Sequence, residues 1–321
     1  MKINSSADHS QSSAIEISLE KLKSLPLPEY SDDAHKGDYG KLLLIAGSSR
    51  LPGAAILAAR AALRVGVGTV RLAAPESVAS AIGIAVPELM VIPLPETSSG
   101  TIALGASTLL AAQYDFCNAC VIGPGLDENE ETFELLKTLA HEIPLPTVLD
   151  ASAILALTGE KPRFAGPRIF TPHAQELSTL LGIDANKIES AREKTALDFT
   201  HDWKSVLVLK GRDTLISAPK TELYKNTSGT RGLGTAGSGD VLAGIIGGLW
   251  TQMVSQKMDA SRAAIWGVHL HALAGEACEK DFGDDGMIAG DLLLRLPGVL
   301  RYARKQTEGR KEGERTGLRQ R

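Results

Sequence analysis

The chain has 321 residues, of which 43% are hydrophobic and 4% aromatic, and its formal net charge is −4. This composition is that of an ordinary globular protein, and the length allows one large α/β domain or two small ones. Proteins that bind nucleic acid neutralise phosphates with basic surfaces or stack bases on aromatic side chains. The mildly acidic, aromatic-poor chain therefore argues against a nucleic-acid partner.

No stretch reaches the roughly 20 apolar residues that span a bilayer. Residues 1–18 lack both the apolar core of a secretion signal and the arginines of a mitochondrial presequence, so we expect a cytoplasmic protein that does not enter a membrane. The same residues are polar and serine-rich, which predicts a disordered lead-in. The charged segment 306–321 predicts a disordered tail. Between them, residues 19–305 contain no linker-like stretch and predict a single domain.

Six short apolar runs each end in a turn. Their nearly continuous apolar character is typical of strands buried on both faces, as in a parallel sheet. Segments 52–66 and 128–142, which lie between runs, are rich in helix formers, and Pro52 is well placed for a first helical turn. The alternation predicts an α/β fold with a doubly wound, mostly parallel central sheet and helices on both faces. The predicted strands lie within 41–47, 67–75, 117–125, 145–152, 167–173 and 205–211.

The pattern changes after Ser205. Residues 205–226 contain three short extended runs with tight turns, which predicts antiparallel strands at an edge of the sheet. Three longer helices are predicted to follow, near 239–254, 259–280 and 289–305.

Cys117 and Cys120 form a C-x-x-C pair, a spacing found in half zinc sites and in redox pairs. The pair enters a predicted strand, where residues three apart point to opposite faces. No second pair is present in the sequence, whose third cysteine is Cys278. Simple buried cysteines are therefore the favoured interpretation.

Glycine and polar side chains recur where predicted strands end. In open α/β sheets, ligands bind beyond the carboxyl ends of the strands. Gly and Pro also simply form turns, which would explain any single one of these positions. Their repetition at strand after strand favours a composite site. The positions are Gly47-Ser48, 123–125, Asp150, His173 and Lys210-Gly211.

The stretch GLGTAGSGDVLAGIIGGLW, residues 232–250, crowds glycines around one carboxylate, Asp240. Glycine weakens a helix interior, so something is expected to approach this backbone closely. The N–H groups of 237–240 lie near a predicted helix start, where unpaired donors and the helix dipole favour an anion. Asp240 then has two interpretations: it complements the dipole, or it takes the proton of a substrate hydroxyl during phosphoryl transfer. No lysine follows these glycines, so the stretch is not a P-loop. The chain also has no G-x-G-x-x-G after its first predicted strand, which disfavours a dinucleotide oxidoreductase.

Seven segments follow one another from His35 to about Leu296: HKGDYGKLLLIAGS, PGAAILAARAALRVGVGTV, IGPGL, VLDASAI, TPHAQEL, VLKGRDTLI and GTAGSGDVLAG. Together they resemble the successive motifs of the ADP/ATP-dependent NAD(P)H-hydrate dehydratases of the ribokinase-like superfamily. The G-[ST]-G-D element is shared with many small-molecule kinases. The block 35–40, joined to AGS and PGAA, is more specific.

The resemblance implies a ribokinase-like fold and the repair of NADH or NADPH whose nicotinamide ring has been hydrated. Family enzymes phosphorylate the ring hydroxyl of the S epimer with ADP or ATP, and loss of phosphate restores the reduced cofactor. We expect ADP as the co-substrate, giving AMP and phosphate, with ATP as the alternative and Mg²⁺ as cofactor. The resemblance also implies a homotetramer and a separate epimerase as pathway partner.

Roles for individual residues follow from the matching motifs. Asp240 resembles the catalytic base, which also contacts the substrate, and Gly239 resembles its neighbour in the nucleotide-binding cradle. Glu176 resembles the acid that helps to hold Mg²⁺ through water. The adenosine-nucleotide segment is matched by Lys210, Gly211, Arg212, Asp213 and Thr214. Contacts to the hydrated nicotinamide nucleotide are matched by Ala54, Gly125 and His173.

Purely structural roles remain as alternatives for several of these residues. Lys210 can reach a phosphate or can be an exposed strand terminus, and His173 can donate to a substrate or cap the helix that it opens. His269 and His271 are two apart on one predicted helix, face different directions and are interpreted as packing or surface residues.

The chain departs from the family pattern at Thr230, where Asn is expected, and at Gly234, where Ala is usual. Both departures bear on the local nucleotide contacts.

Two other functions remain open. A ribokinase-like kinase of a vitamin-precursor alcohol would share Asp240 but release a phosphorylated product. A nucleotide sensor would bind ADP without turnover, although the presence of Asp240 speaks against it.

Overall fold

The computed structural model of the protein describes residues 14–307, whose strands form one ten-stranded sheet. The strands are β1 (Ile15–Glu16), β2 (Lys41–Ile45), β3 (Thr69–Pro75), β4 (Met90–Leu94), β5 (Ala119–Ile122), β6 (Thr147–Leu149), β7 (Arg168–Phe170), β8 (Val206–Leu209), β9 (Thr214–Ser217) and β10 (Tyr224–Asn226). Their spatial order is β1-β10-β9-β8-β7-β6-β5-β2-β3-β4.

The strands from β4 to β8 in this order are parallel, and β9 is antiparallel to both of its neighbours. The chain builds the sheet outward from β2 to β3 and β4, and then continues from β5 on the other side of β2. The crevice between the carboxyl ends of β2 and β5 is therefore the topological switch point, where such folds bind ligands.

Each central strand is buried on both faces. Leu42 and Leu44 of β2 belong to one hydrophobic core, whereas Leu43 and Ile45 belong to the other. Successive side chains of a strand point to opposite faces, so a strand covered on both sides needs an uninterrupted apolar run. This explains why the sequence signal for these strands was strong.

Helices cover both faces of the sheet. The first core packs beneath α1 (Leu19–Lys23), α2 (Pro52–Arg64), α3 (Glu76–Ala85), α10 (Ser238–Ser255), α11 (Ala260–Gly286) and α12 (Ala289–Thr307). The second packs beneath α4 (Ser107–Ala111), α5 (Glu130–Glu142), α6 (Ser152–Leu155), α7 (Ala174–Leu181), α8 (Ala185–Ser190) and α9 (Arg192–Trp203). Short 3₁₀ helices span Leu104–Ala106, Tyr114–Phe116 and Arg231–Gly234. Within residues 14–307 no helix is long and apolar enough to cross a bilayer.

The predicted doubly wound, mostly parallel sheet is confirmed, including the antiparallel strands after β8. All three cysteines are free and buried, as the sequence favoured. Two strands were missed. β4 lies at the sheet edge and contains Pro93, and β1 is only two residues long.

Secondary structure extends on both sides beyond residues 19–305, the predicted domain. β1 lies within the segment predicted as a disordered lead-in, where it pairs with β10, and the Ile17 side chain is buried. α12 continues to Thr307, past the predicted boundary at 305. The rest of the predicted lead-in and tail lies outside the described residues.

The glycines in the body of α10 allow close packing. A Cβ on Gly244 would lie 2.2 Å from the Ala58 carbonyl oxygen of α2, and one on Gly248 would lie 2.9 Å from the Ala62 Cα. On the sheet side, a Cβ on Gly247 would lie 2.2 Å from Val121 Cγ2 of β5. In the body of α10 the groups that approach the glycines are α2 and the sheet, whereas Gly239 and Asp240 in the first turn are partly exposed.

Gly244→Ala should destabilise the protein, because its methyl group would overlap the Ala58 carbonyl. Overpacking of this kind costs about 1–3 kcal/mol in the free energy of unfolding, measurable by urea denaturation. Gly298→Ala in α12 is the control, since nothing lies within 4 Å of its added Cβ. Alanine there should stabilise by about 0.5–1 kcal/mol. Equal shifts in both variants would contradict the close contact of α2 and α10.

Candidate active site

The loops after β2, β5 and β6 pack tightly at the carboxyl edge of the sheet. The Gly47 N–H donates to the Pro124 carbonyl at 2.8 Å, and the Gly123 N–H donates to the Ile45 carbonyl at 3.2 Å. A Cβ on Gly123 would lie 1.8 Å from the Asp150 carbonyl oxygen. These contacts hold Asp150 beside the switch point.

A cluster of charges lies beside this edge, centred on Lys210 at the end of β8. Lys210 Nζ is 3.2 Å from Asp150 Oδ1 and 3.6 Å from Glu176 Oε2. Asp150 Oδ1 also accepts a hydrogen bond of 2.6 Å from the Thr171 hydroxyl. A Cβ on Gly239 would lie 3.5 Å from Lys210 Nζ. Lys210 thus joins the ends of β6 and β8 and helix α7 to the start of α10.

Charge balance within the cluster shifts two pKa values. Burial disfavours the Lys210 cation, but Asp150, Glu176 and Asp240 outweigh burial and raise the pKa of Lys210 above its ordinary value. Burial and the charge of Asp150 raise the pKa of Asp240 to about 7, although Lys210 opposes them. Lys210 is therefore a cation at neutral pH, while Asp240 can gain or lose a proton there.

Asp240 lies in the first turn of α10, whose N-cap is Gly237 with a left-handed φ of 86°. Gly237 offers no side-chain cap. Helix geometry leaves the N–H groups of Gly239 and Asp240 without intrahelical acceptors. The structure therefore has an uncapped helix start beside the Lys210 ammonium, which is an arrangement that binds anions.

Ala54 and Gly125 come together although they are far apart in sequence. Gly125 has φ of 67°, and a Cβ on it would lie 2.7 Å from the Ala54 Cβ. Ala54 is in the first turn of α2, and its N-cap Leu51 has no side-chain hydrogen bond. A Cβ on Gly237 would lie 2.5 Å from Leu57 Cδ1, one turn further along α2. The starts of α2 and α10 therefore lie side by side.

His173 and Glu176 form a capping box at the start of α7. The Glu176 N–H donates to His173 Nδ1 at 3.1 Å, and the His173 N–H donates to Glu176 Oε2 at 2.8 Å. The capping interpretation of His173 is thus observed. The same Glu176 oxygen faces Lys210, and the His173 side chain is 54% exposed at the edge of the cluster.

The loop from Gly211 to Asp213 is exposed, and Thr214 closes it by donating to the Gly211 carbonyl at 3.1 Å. Arg192 holds this loop from α9. Its guanidinium donates to the carbonyls of Leu209, Lys210 and Asp213 at 3.0, 3.2 and 3.3 Å. Sequence reasoning missed Arg192, because a side chain that binds backbone carbonyls from another helix has no local motif.

Thr230, one of the two departures from the family pattern, is tied to the end of α11. Its hydroxyl donates to Asp284, which also accepts from the Gly232 N–H at 3.2 Å and from Arg231 Nε at 2.7 Å. Gly283 interrupts α11 with φ of 70° just before Asp284. Thr230 thus holds the loop that leads to α10 through Asp284.

The sequence interpretation of His271 as a packing or surface residue did not include its contact with α10. His271 is buried in α11, and its Nε2 lies 3.0 Å from the Ser238 hydroxyl and 3.1 Å from the Ser238 carbonyl oxygen. Its contact is with the first residue of α10, two positions from Asp240. Burial lowers the pKa of His271 to about 4, so the imidazole is neutral at neutral pH.

A sequence profile described as NAD(P)H-hydrate dehydratase matches residues 42–297. The chain belongs to the NAD(P)H-hydrate dehydratase family. An "ADP-dependent (S)-NAD(P)H-hydrate dehydratase" of Xanthomonas campestris is 38% identical over 283 residues, covering 87% of this chain and 93% of that protein. A "bifunctional NAD(P)H-hydrate repair enzyme Nnr" of Moorella thermoacetica is 39% identical over 285 residues, covering 88% of this chain and 53% of that protein. The chain thus spans about half the length of its bifunctional relative.

Two solved structures have the same fold as this chain. The ADP/ATP-dependent enzyme of Bacillus subtilis, co-crystallised with ATP and Mg²⁺, superposes with a TM-score of 0.77 at 29% identity and covers 90% of this chain and 99% of that one. A ribokinase-like superfamily protein of Enterococcus faecalis gives a TM-score of 0.77 at 24% identity, covering 93% and 99%. The predicted family and ribokinase-like fold are confirmed.

The donor set at the site is compatible with a nucleotide-bound Mg²⁺. Within the described part of the chain, no three His, Cys, Asp or Glu side chains form a metal-binding group. A cage made of protein ligands alone is therefore not available there. Mg²⁺ is usually held by one or two carboxylates, several waters and substrate phosphates. Glu176, only 13% exposed and beside Lys210, is a carboxylate of that kind.

Asp240→Asn should stabilise the protein above pH 7. The pKa of Asp240 rises on folding from 3.8 to about 7, so the folded state holds this proton more tightly and loses stability as pH increases between those values. Asparagine stays neutral, so its advantage should be on the order of 2–4 kcal/mol at pH 8. At pH 4.5 Asp240 is protonated in the folded protein and ionised only in the unfolded chain, so the advantage should fall to about 1 kcal/mol. Thermal unfolding at both pH values measures the difference, and a pH-independent one would contradict the raised pKa.

Proposed function

We propose that the protein converts the S epimer of hydrated NADH or NADPH back to NADH or NADPH, consuming ADP and releasing AMP and phosphate. The relative of X. campestris carries this activity in its name and aligns over nearly its whole length. The observation that carries the proposal is Asp240. A carboxyl group with a pKa of about 7 lies at an uncapped helix start beside a partly buried lysine. Such a group can accept a hydroxyl proton where a phosphoryl group is transferred.

The nucleotide phosphates bind between the start of α10 and Lys210. The N–H groups of Gly239 and Asp240 donate to the terminal phosphate, and the Lys210 ammonium offsets its charge. The exposed loop of Gly211, Arg212, Asp213 and Thr214, held by Arg192, binds the adenosine side. Glu176 would help to hold Mg²⁺ through water, and the ion would further compensate the charge of the phosphates.

The hydrated nicotinamide binds at the other side of the crevice, against Ala54 and Gly125. Gly125 lets the substrate approach the backbone, since a side chain at φ of 67° would be strained and would meet Ala54. His173, with its Nδ1 engaged in the capping box and its Nε2 3.6 Å from Glu176 Oε1, contacts the substrate from the exposed edge of the site. The two uncapped helix starts bring the ring hydroxyl and the terminal phosphate towards the same carboxylate.

Asp240 removes the proton of the ring hydroxyl while the hydroxyl oxygen forms a bond to the terminal phosphorus of ADP. The bond from this phosphorus to the oxygen of the AMP leaving group breaks. The phosphate then leaves with its C–O bonding electrons, and a proton leaves the neighbouring ring carbon to restore the double bond. The atoms balance, because the oxygen of the added water ends in the phosphate and its two hydrogens leave as protons. The chemistry needs no oxidant or reductant.

A direct assay combines the protein, the S epimer of hydrated NADH and ADP. Recovery of reduced-nicotinamide absorbance together with AMP release supports the proposal. A small-molecule kinase would consume nucleotide only with its own alcohol and leave this absorbance unchanged. A sensor would bind ADP and consume nothing. Replacing ADP by ATP, and NADH hydrate by NADPH hydrate, gives the preferences.

We also propose a homotetramer in the cytoplasm, with the residues from β1 to α12 acting as one domain and a separate epimerase supplying the S epimer. Light scattering after size exclusion measures the oligomeric state, and limited proteolysis tests the single domain. An equal mixture of the R and S epimers of the hydrate tests the need for an epimerase, because half of the mixture should remain until an epimerase is added.

Asp240→Asn should lower kcat by about 10²–10⁴-fold, because asparagine keeps the size of the side chain but cannot take a proton. ADP binding, measured by calorimetry, should persist. For the unsubstituted protein, kcat/KM should fall below pH 7, where Asp240 becomes protonated. Asp291→Asn, in the first turn of α12, is the control for removal of a helix-start carboxylate. A variant at position 240 that keeps a tenth of the parent kcat would exclude the base.

Lys210→Ala should raise the nucleotide KM by roughly ten- to a hundredfold, since a charge-assisted contact is worth about 1.5–3 kcal/mol. The KM for the hydrate should change less. Lys194→Ala removes an exposed lysine of α9 and should change neither constant. An unchanged nucleotide KM in folded Lys210→Ala would place this lysine outside the nucleotide site.

A further inference from the structure

The first turn of α10 carries Asp240 on a backbone with little stiffness of its own. Gly237 and Gly239 flank Ser238, and glycine restricts the backbone less than any other residue. The N-cap supplies no side-chain hydrogen bond, so α10 itself holds its first turn only through backbone hydrogen bonds, such as that from the Val241 N–H to the Gly237 carbonyl at 3.1 Å. The carboxylate must nevertheless meet a hydroxyl with defined geometry, because small displacements of a catalytic group cost large factors in rate.

An anchor for this turn comes from α11. His271 is 9% exposed, and its Nε2 lies within hydrogen-bond distance of both oxygens of Ser238, the hydroxyl at 3.0 Å and the carbonyl at 3.1 Å. A carbonyl oxygen can only accept a hydrogen bond, so the favourable tautomer carries the hydrogen on Nε2. If Nε2 were unprotonated, two lone pairs would face each other in a buried place. The Nε2–H therefore donates to the Ser238 backbone carbonyl and shares its hydrogen with the hydroxyl oxygen.

We propose that His271 is a positioning residue for the dehydration reaction, holding the first turn of α10 through the Ser238 carbonyl so that the Asp240 carboxylate points at the substrate hydroxyl. This inference rests on the proposed function of Asp240. His271 neither touches the substrate nor exchanges a proton. It acts as a neutral donor from a long, buried helix on a turn weakened by two glycines.

A pair of amide variants separates this role from general packing. Glutamine can place its Nε2 close to that of histidine, whereas asparagine is one methylene shorter and cannot reach Ser238. Both are polar and both leave space in the core, so their stabilities should fall by similar amounts. His271→Asn should lower kcat by about 10- to 100-fold with the nucleotide KM within threefold, as expected for a misplaced group. His271→Gln should keep kcat within about threefold.

A second measurement does not depend on turnover. Hydrogen exchange of the backbone amides in residues 238–242 should be faster in His271→Asn than in the parent protein, and close to the parent in His271→Gln. Cys278→Ala, also buried in α11, is the control for a weakened core. It should lower the melting temperature without changing kcat or exchange in this segment.

The results distinguish the two proposals. If the parent protein fails to dehydrate the hydrate, the proposed function is lost, and the exchange measurement still decides whether His271 anchors the turn. If the parent is active but the Asn and Gln variants have equal kcat values and equal exchange, the positioning role is overturned. Loss of kcat in Cys278→Ala equal to that in His271→Asn would likewise reduce His271 to a packing residue.

Discussion

One ammonium group, that of Lys210, lies near carboxyl groups from three different parts of the chain. The site depends on this excess of acidic groups over positive charge. Asp150 and Glu176 lie within 3.2 and 3.6 Å of Lys210 Nζ, and the charge of Asp240 also acts on it. One cation cannot fully compensate three acids in a partly buried place. The excess negative charge is relieved by protonation of Asp240, because burial and the charge of Asp150 raise the pKa of its carboxyl group to about 7. The reactivity of this carboxyl group thus comes from its surroundings rather than from its own chemistry.

The sheet topology brings the charged residues of this cluster together. Asp150 follows β6, Lys210 follows β8 and Glu176 lies in the first turn of the helix after β7, so their separation in sequence disappears at the carboxyl edge of three neighbouring parallel strands. α10 completes the cluster by crossing behind β5, and it can do so because Gly244, Gly247 and Gly248 let it approach α2 and the sheet. The glycine-rich stretch therefore serves two purposes. Its first glycines open the helix start to a ligand, and its later ones bring that start to Lys210.

The sequence allowed the central strands, the long helices and the strand-end residues to be predicted, because each has a local cause. A strand buried on both faces must be continuously apolar, and ligand-binding residues of parallel sheets lie at strand ends. Neither cause applies to β1 and β4: a two-residue strand has no periodicity, and Pro93 in an edge strand weakens the pattern. The pKa of Asp240 could not be predicted either, because it depends on burial and on Asp150, ninety positions away.

The residues that hold the site share a feature that hides them from sequence analysis. Arg192 binds the carbonyls of the loop after β8, His271 binds the Ser238 carbonyl, and Asp284 accepts the Gly232 N–H. Each reaches backbone from a neighbouring helix, so its partner has no characteristic side chain and its spacing from the partner is arbitrary. Residues that touch a ligand must be of particular chemical types, whereas a backbone group can be held by any suitable donor or acceptor. The glycines of these loops keep the backbone accessible but restrict its conformation little. The hydrogen bonds from neighbouring helices supply the missing restriction.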